Sequence, residues 1–301
     1  MPKDLVQRVL EEVAKTGFPL ELRVADQLRV RGYHVATNVY FVDRDEGKGR
    51  EIDIRALGNA FFTTGKLRCA VRHCLLIECK KSASRPWVFF SSPTVSYDQQ
   101  VSDIASHGVA RGWIRSSEEF WRFGRQHPWF RAPNRGRSFF EAFAGTQEAN
   151  QNIQRAILGA VKATIDTRDA RFAAGYPFPN ATFYYPIVVL DGHLFAAQVR
   201  RGRTTITRAS KVLVSVRYRS AQYTGNERHT VLVVTKPAFA GVLRALDRWL
   251  RTCALHFKRN GQCFGPVRRP RKSRVRVTRA APNKRLQRPR TAKARRRGPR
   301  P

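Results

Sequence analysis

Three charged residues in the first third of the chain have the types and spacing needed to bind a cation and a phosphate. Asp53 lies between two isoleucines, and 25 residues later Glu78 and Lys80 flank a cysteine. The surrounding stretches, residues 50–57 and 71–81, have the alternating or apolar composition of β-strands. If these strands are neighbours, the two carboxylates converge on a hard cation, which offsets the cost of burying them together. The alternative is a set of solvated charges joined by an ordinary salt bridge, since this pattern alone is a weak signal.

Side-chain alternation along a strand predicts which residues share a face. Glu78 and the lysine two residues later are expected on one face of their strand. On the preceding strand, Asp53 is expected beside Glu51. The isoleucines on either side of Asp53, Ile52 and Ile54, are expected to face the core together.

Glu21 is a fourth residue expected near this group. Pro19 marks the start of a helix that Gly32 ends, and Val24 and Leu28 mark its buried face. Glu21 lies three positions before Val24, close to that face. A glutamate directed inward needs a partner, and the motif would supply one.

Helix and strand patterns are interleaved as far as residue 256, which predicts an α/β or α+β fold with a central mixed sheet flanked by helices. Helices are predicted at residues 3–15, 19–32, 97–113, 147–164 and 238–256. Strands are predicted at residues 34–43, 50–57, 71–81, 87–90, 211–219 and 230–236. Two further strands are predicted on either side of a hairpin turn at Asp191 and Gly192.

The order of these elements resembles the core of the PD-(D/E)XK, or restriction-endonuclease-like, nuclease superfamily. A helix with Glu21, a strand, a turn, a strand with Asp53, a strand with Glu78 and Lys80, and a helix follow one another. The helical glutamate makes the chain most similar to the Mrr-type and Holliday-junction-resolvase-type branches. The resemblance covers roughly residues 15–110. Ile52 stands where the family's motif has proline, which is a departure from the pattern.

The resemblance implies an endonuclease of defence or repair that hydrolyses DNA phosphodiesters with a divalent metal and leaves a 5′-phosphate and a 3′-hydroxyl. Asp53 and Glu78 would bind Mg²⁺, with Mn²⁺ as a substitute, and Glu21 would complete the metal site. Lys80 would position the attacking water and stabilise charge that develops on the phosphate. Three nearby polar residues are candidates for accessory contacts: Lys81, Gln99 and Gln100. The alternative for each is an ordinary solvated side chain.

Three regions follow from this interpretation. Residues 1–112 form the nuclease core, and residues 113–256 form an α/β extension or second subdomain that completes the sheet. Residues 257–301 contain 18 Lys and Arg and no acidic residue. Such a segment buries too little apolar surface to offset its ordering entropy, so disorder is expected. It is either a DNA-binding arm or an extension without a selected role.

The net charge of +35 favours a polyanionic partner. Without residues 257–301, 39 basic and 22 acidic residues still leave +17, and each phosphate neutralised by a basic residue releases counterions. DNA is the expected partner. RNA is the alternative substrate, and a catalytically inactive nucleic-acid-binding module of the same fold is the alternative function. A homodimer is left open.

The sequence lacks the signatures of several other classes of protein. The five cysteines form no CxxC pair, and the seven histidines form no HxH or HExxH pattern, so a zinc site is not expected. The start of the chain has no signal-peptide pattern and no apolar run suits a membrane span, so a cytoplasmic protein is expected. There is no P-loop motif and no GxSxG nucleophile context.

Residues 113–140 are rich in aromatic residues and arginine. Two interpretations remain open for this stretch: stacking on unpaired bases, or packing in a hydrophobic subcore or dimer interface.

Overall fold

The computed structural model describes residues 4–91, 127–131, 134–143, 149–174, 180–223 and 228–259. The predicted helix at residues 97–113 and the basic segment from residue 260 onward lie outside the described residues. Residues 257–259, predicted to belong to the tail, are instead the last residues of a helix.

Four α-helices and eight β-strands make up the described part of the chain, which confirms a mixed α+β class with a large mixed sheet. The helices are α1 (Leu5–Lys15), α2 (Phe18–Val30), α3 (Ala149–Ala174) and α4 (Lys236–Arg259), with one 3-10 turn at Pro128–Arg131. The strands are β1 (His34–Asp43), β2 (Lys48–Thr64), β3 (Leu67–Ser91), β4 (Arg135–Glu141), β5 (Asn180–Arg200), β6 (Arg203–Arg208), β7 (Lys211–Arg217) and β8 (Arg228–Thr235).

The sheet is organised around the long strand β3. Strands β1, β2 and β3 are antiparallel neighbours, and β5 pairs in parallel with β3 along most of its length. The C-terminal part of β3 also pairs with β4, and β4 continues through β7 and β8 back to β5. These pairings form a closed circuit of five strands. Residues before and after position 112 therefore contribute to one sheet, within a compact unit that spans Met1–Val267.

The core lies on both faces of the sheet. On one face, alternate residues of β3, among them Leu75 and Ile77, pack with α2 and α4. On the other face, Cys74 and Leu76 pack against α3, and a third cluster joins α3 to the interior of the strand circuit. The helix predicted at residues 238–256 is confirmed as α4, and its buried face includes Val242, Leu243, Leu246 and Leu250. The β3 strand is covered on both sides, as its apolar run predicted.

The hairpin predicted at Asp191 and Gly192 is wrong, because β5 runs straight through both residues. The turn lies ten residues later, at Arg201 and Gly202, where both residues have positive φ angles (48° and 75°). Gly192 is needed for a different reason. A Cβ atom at this position would lie 2.3 Å from the Ser82 carbonyl oxygen, beside the register shift of β3. The glycine allows close approach of two strands rather than chain reversal.

The structure changes the bounds of three predicted segments, two of them in the first meander, which is formed by the antiparallel strands β1, β2 and β3. Residues 58–70, which lie between two predicted strands, extend the β2–β3 hairpin as far as a turn at Gly65. Residues 87–90 belong to the end of β3 and do not form a separate strand. The predicted helix at residues 147–164 continues to Ala174. In each case hydrogen bonding or packing with distant elements extends the local pattern.

The helix predicted at residues 3–15 is confirmed as α1; it is amphipathic, but it has no buried residue. Its apolar side chains, including Leu5, Val9 and Val13, are exposed among the described residues. None of the helices in the described ranges has the length and apolar character to cross a membrane.

Candidate active site at the junction of β2 and β3

Asp53 lies where β2 and β3 separate. The two strands are paired from their hairpin turn as far as Ile54 and Ile77. Asp53 is the first residue of β2 beyond this last pair. The Cys79 amide donates a hydrogen bond of 2.6 Å to Asp53 Oδ2. The carboxylate thus takes the place of a backbone acceptor where the ladder ends. This bond fixes the carboxylate beside the strand that carries the other two motif residues.

The expectation that Ile52 and Ile54 share one core face is wrong. Both are buried, but Ile54 packs with the α2 and α4 side of the core and Ile52 packs with the α3 side. On the other side of β2, the pairing with β1 is interrupted at Asp53 and at the residue opposite it, Asn38. Asn38 has a positive φ angle of 53°. The strand therefore departs from regular alternation at Asp53, and this irregularity coincides with the end of β2–β3 pairing.

Glu78 and Lys80 form an ion pair beside α3. Lys80 Nζ lies 2.7 Å from Glu78 Oε2. Glu78 is only 6% exposed. A Cβ atom added to Gly159 of α3 would lie 3.0 Å from Glu78 Oε1. A glycine at this helical position therefore leaves the space that the carboxylate occupies.

Glu78 is held in surroundings that disfavour its charge. Burial is the main reason that its pKa is raised from 4.5 to about 7. Lys80 lowers this pKa through its charge and its hydrogen bond, whereas Asp53 and Glu21 raise it. One lysine does not offset the combined effect of burial and two neighbouring carboxylates.

Glu21 and Asp53 are perturbed in the same direction. Burial, followed by the charge of Asp53, raises the pKa of Glu21, while Lys80 lowers it and Glu51 raises it. Burial also raises the pKa of Asp53, although the Cys79 amide and Lys80 act against it. The structure thus brings Glu21, Asp53, Glu78 and Lys80 into one electrostatic group, although they come from a helix and two strands.

Lys80 is protonated at neutral pH. Burial lowers its pKa. The charge of Glu78, the hydrogen bond to Glu78 and the charge of Asp53 raise the pKa by more than burial lowers it, so the net shift is upward. A protonated ammonium group donates hydrogen bonds and offsets negative charge. It does not accept a proton, so Lys80 is suited to contact phosphate oxygens or to orient a water molecule.

The acidic residues have the chemistry of a Mg²⁺ site. Asp53 and Glu78 supply oxygen ligands, and a cation would reverse the unfavourable ionisation of both. In the described ranges, no group of three or more His, Cys, Asp or Glu side chains is arranged to hold a metal ion. Mg²⁺ commonly keeps several waters and uses only one or two carboxylates. By the chemistry of their oxygen atoms, Asp53 and Glu78 are the two residues that could hold a hydrated ion.

The accessory residues are placed differently. The Lys81 ammonium donates a hydrogen bond to the Ala14 carbonyl of α1, so it contacts the helical layer rather than Glu78. Gln99 and Gln100 lie outside the described residues. In the aromatic stretch, Trp129 is buried against Tyr185, with ring centroids 4.9 Å apart, which favours packing for that residue. Four other aromatic residues of the stretch, Trp113, Phe120, Trp121 and Phe123, lie outside the described residues.

A second charged cluster, which sequence reasoning missed, lies at the β1–β2 turn. Asp43 is completely buried, and the Lys162 ammonium of α3 donates hydrogen bonds of 2.9 and 2.8 Å to its two oxygens. Arg50 Nε lies 2.8 Å from Asp43 Oδ2, and the Asp45 amide donates to Oδ1. Burial raises the pKa of Asp43, but these hydrogen bonds and charges outweigh it, so the net pKa is lowered. The alternating pattern of β1 contained no sign of this partnership.

Two histidines that are far apart in sequence meet in the core. Tyr185 Oη lies 3.0 Å from His127 Nε2 and 3.4 Å from His73 Nε2. Burial lowers the pKa of His73 to about 3 and lowers that of His127 well below its usual value. Both rings are therefore neutral, and they pack against Tyr185 as part of the core.

Function must be inferred from this geometry. A comparison of the chain with protein-family models found no match. Comparisons with curated proteins and with solved structures also found no match.

Proposed function

We propose that the protein is a metal-dependent nuclease, a phosphodiester hydrolase with DNA as its substrate. One observation carries the proposal: the Cys79 amide holds the Asp53 carboxylate beside the strand that carries the Glu78–Lys80 ion pair, in surroundings that disfavour the charge of both carboxylates. Buried ionisable groups with perturbed pKa values are concentrated at functional sites. The combination of two acids and one protonated amine suits a cation and a phosphate together.

The order of elements supports a restriction-endonuclease-like core. Helix α2 carries Glu21, and the antiparallel neighbours β1, β2 and β3 follow it, with Asp53 on β2 and Glu78 on β3. This is the order that the resemblance to PD-(D/E)XK nucleases implies. The family assignment, like the nuclease activity, is part of the proposal.

A bound Mg²⁺ or Mn²⁺ would supply a polarised phosphate and a water of lowered pKa. Asp53 and Glu78 would hold it, and the Cys79 amide keeps the Asp53 carboxylate in place. Lys80, protonated and only partly exposed, would donate hydrogen bonds to a non-bridging phosphate oxygen or to the attacking water. Hydrolysis forms one bond from the water oxygen to phosphorus and breaks the bond to the 3′ oxygen, which takes up a proton.

A cleavage assay tests this proposal. Supercoiled plasmid, linear duplex DNA, single-stranded DNA and RNA are incubated with the protein in Mg²⁺, Mn²⁺ or EDTA. Asp53→Asn and Lys80→Ala are expected to lower the cleavage rate by at least about 100-fold, because the first removes a charged ligand of the metal and the second removes a positive charge that stabilises the transition state. Binding measured in EDTA should change by less than threefold. The RNA arm decides between the two substrate classes.

Lys81→Ala is the matched control, because this neighbouring lysine contacts α1 rather than Glu78. It should cleave at the wild-type rate. If wild type and Asp53→Asn show the same cleavage in Mg²⁺ and in EDTA, the nuclease proposal is wrong. Retained nucleic-acid binding would then favour the catalytically inactive binding module.

A further inference from the structure

The β5–β6 hairpin is an exposed two-stranded ribbon at the edge of the sheet. Its pairing runs from Phe195 opposite Arg208 to Arg200 opposite Arg203, and the positive φ angles of Arg201 and Gly202 make the tight turn that suits a twisted hairpin. All six residues of β6 are exposed. On β5, exposure rises towards the tip: Ala196 and Ala197 are buried, whereas Val199 is 60% exposed.

The ribbon is basic without nearby acidic residues in the sequence. Seven arginines and lysines and no Asp or Glu occur between His193 and Tyr223. Across the described ranges, no carboxylate forms an ion pair with Arg201 or Arg203. Arg208 instead lies 3.4 Å from His193 Nδ1.

Several arginines in α2 and in the β1–β2 hairpin behave differently. Arg29, Arg44 and Arg50 each form an ion pair with at least one carboxylate. Those pairs neutralise charge within the protein. The arginines at the tip of the ribbon keep their charge for a partner outside it, and guanidinium groups bind phosphate with two parallel hydrogen bonds.

The remaining exposed side chains of β6 suit a groove lined by bases and sugars. Thr205 and Thr207 donate hydrogen bonds to carbonyl oxygens of β5, and Ile206 is exposed among them. Six residues of strand span about 20 Å. The major groove of a DNA duplex, roughly 12 Å wide, admits a two-stranded β-ribbon.

We propose that the β5–β6 hairpin is an arm that binds duplex nucleic acid, with Arg201 and Arg203 on phosphates and the exposed side chains of β6 directed into the groove. The role of the hairpin in binding a substrate rests on the proposed nuclease function. Its ability to bind a duplex depends only on the features of the hairpin itself. The test therefore measures binding in EDTA, with no cleavage involved.

The experiment compares the full-length protein with the double variant Arg201→Gln, Arg203→Gln. The ligand is a labelled 20-base-pair duplex, and the isolated labelled strand is tested in parallel over a series of salt concentrations. The variant is expected to bind the duplex about tenfold more weakly. The slope of log affinity against log salt should fall by about two, because two phosphate contacts are lost. Single-strand affinity should fall by less than threefold.

The matched control is Arg248→Gln, Arg251→Gln, which removes two exposed arginines from α4 and changes the net charge equally. It should bind the duplex within threefold of wild type. Equal weakening by both double variants would overturn the proposal, because general charge would then explain the effect. Equal loss for duplex and single strand would also overturn it.

Three further measurements separate duplex binding by the hairpin from changes in folding, from the nuclease activity and from general charge. Thermal unfolding midpoints of both variants should match wild type, since the altered side chains are exposed. A failure of Asp53→Asn to affect cleavage would overturn the nuclease proposal without changing the duplex-binding result.

The double variant Val199→Asn, Ile206→Thr tests groove insertion, because it keeps every charge. It should weaken duplex binding if the ribbon enters a groove. Unchanged duplex affinity would contradict groove insertion.

Discussion

Asp43 and Glu78 are both buried carboxylates, and their surroundings affect them in opposite ways. Asp43 receives hydrogen bonds from Lys162 and from a backbone amide and lies beside Arg50, and its pKa is lowered. Glu78 has the ion pair with Lys80 and two neighbouring carboxylates, and its pKa is raised to about 7. Burial opposes ionisation in both places, so the number and sign of the partners decide the outcome.

The difference separates a structural site from a candidate functional one. The Asp43 cluster joins the β1–β2 turn to α3 with its charges compensated inside the protein. The Glu78 cluster keeps an excess of negative charge that an external cation would compensate. A buried ion pair by itself therefore does not indicate function. The informative feature is the negative charge that no partner within the protein compensates.

The largest effect is expected from Lys162→Met. This change leaves the Asp43 carboxylate buried with Arg50 as its remaining cationic partner, and breaking a buried pair in this way costs about 3–5 kcal/mol. Urea denaturation at pH 7 measures the free energy of unfolding. Adding Asp43→Asn to the variant should recover part of the loss. If Lys162→Met is as stable as wild type, the cluster does not hold the turn to α3.

An intermediate effect of the opposite sign is expected from Glu78→Gln. The folded pKa of Glu78, about 7, exceeds its ordinary value of 4.5, so the folded state binds more protons between these pH values. Its stability contribution is complete below pH 4.5 and is lost as the pH rises through 7. At pH 8 in EDTA, Glu78→Gln should be about 1–3 kcal/mol more stable than wild type, with little difference at pH 4.5.

Urea denaturation at pH 4.5 and pH 8 checks this prediction, and Asp43→Asn serves as the contrasting variant. The pKa of Asp43 is lowered, so its ionised form stabilises the fold above its ordinary pKa and that contribution is lost on acidification. Asp43→Asn should therefore lose stability at pH 8. If the free energy of unfolding changes with pH in the same way for wild type and Glu78→Gln, the distinction between the two clusters is wrong.

The smallest effect is expected from Asp26→Asn on the surface of α2. Its partner Arg29 lies 2.9 Å away, and both side chains are largely exposed. Solvent and salt screen such a pair, so the free energy of unfolding should change by less than about 0.5 kcal/mol. The same urea measurement applies. A loss as large as that of Lys162→Met would show that burial does not set the strength of these pairs.

The sequence predicted the elements around the candidate site well, because local patterns were strong there. The helix with Glu21 and the strands of the first meander are confirmed, and alternation correctly predicted that Glu78 and Lys80 share one face of β3. The failures came where distant pairing overrode local signals. Asp191 and Gly192 have the composition of a hairpin turn, yet parallel pairing with β3 keeps the chain extended through them.

The amino-acid order alone determined which residue types were available: two acids and a lysine on adjacent strand patterns, and an arginine-rich stretch free of acids. Only the tertiary structure decided their partners. It gave Asp43 a lysine 119 positions away, brought Gly159 against Glu78, and left the β6 strand exposed at a sheet edge. The physical reason is that the pKa of a buried charge depends on neighbours in space, and packing of distant segments sets those neighbours.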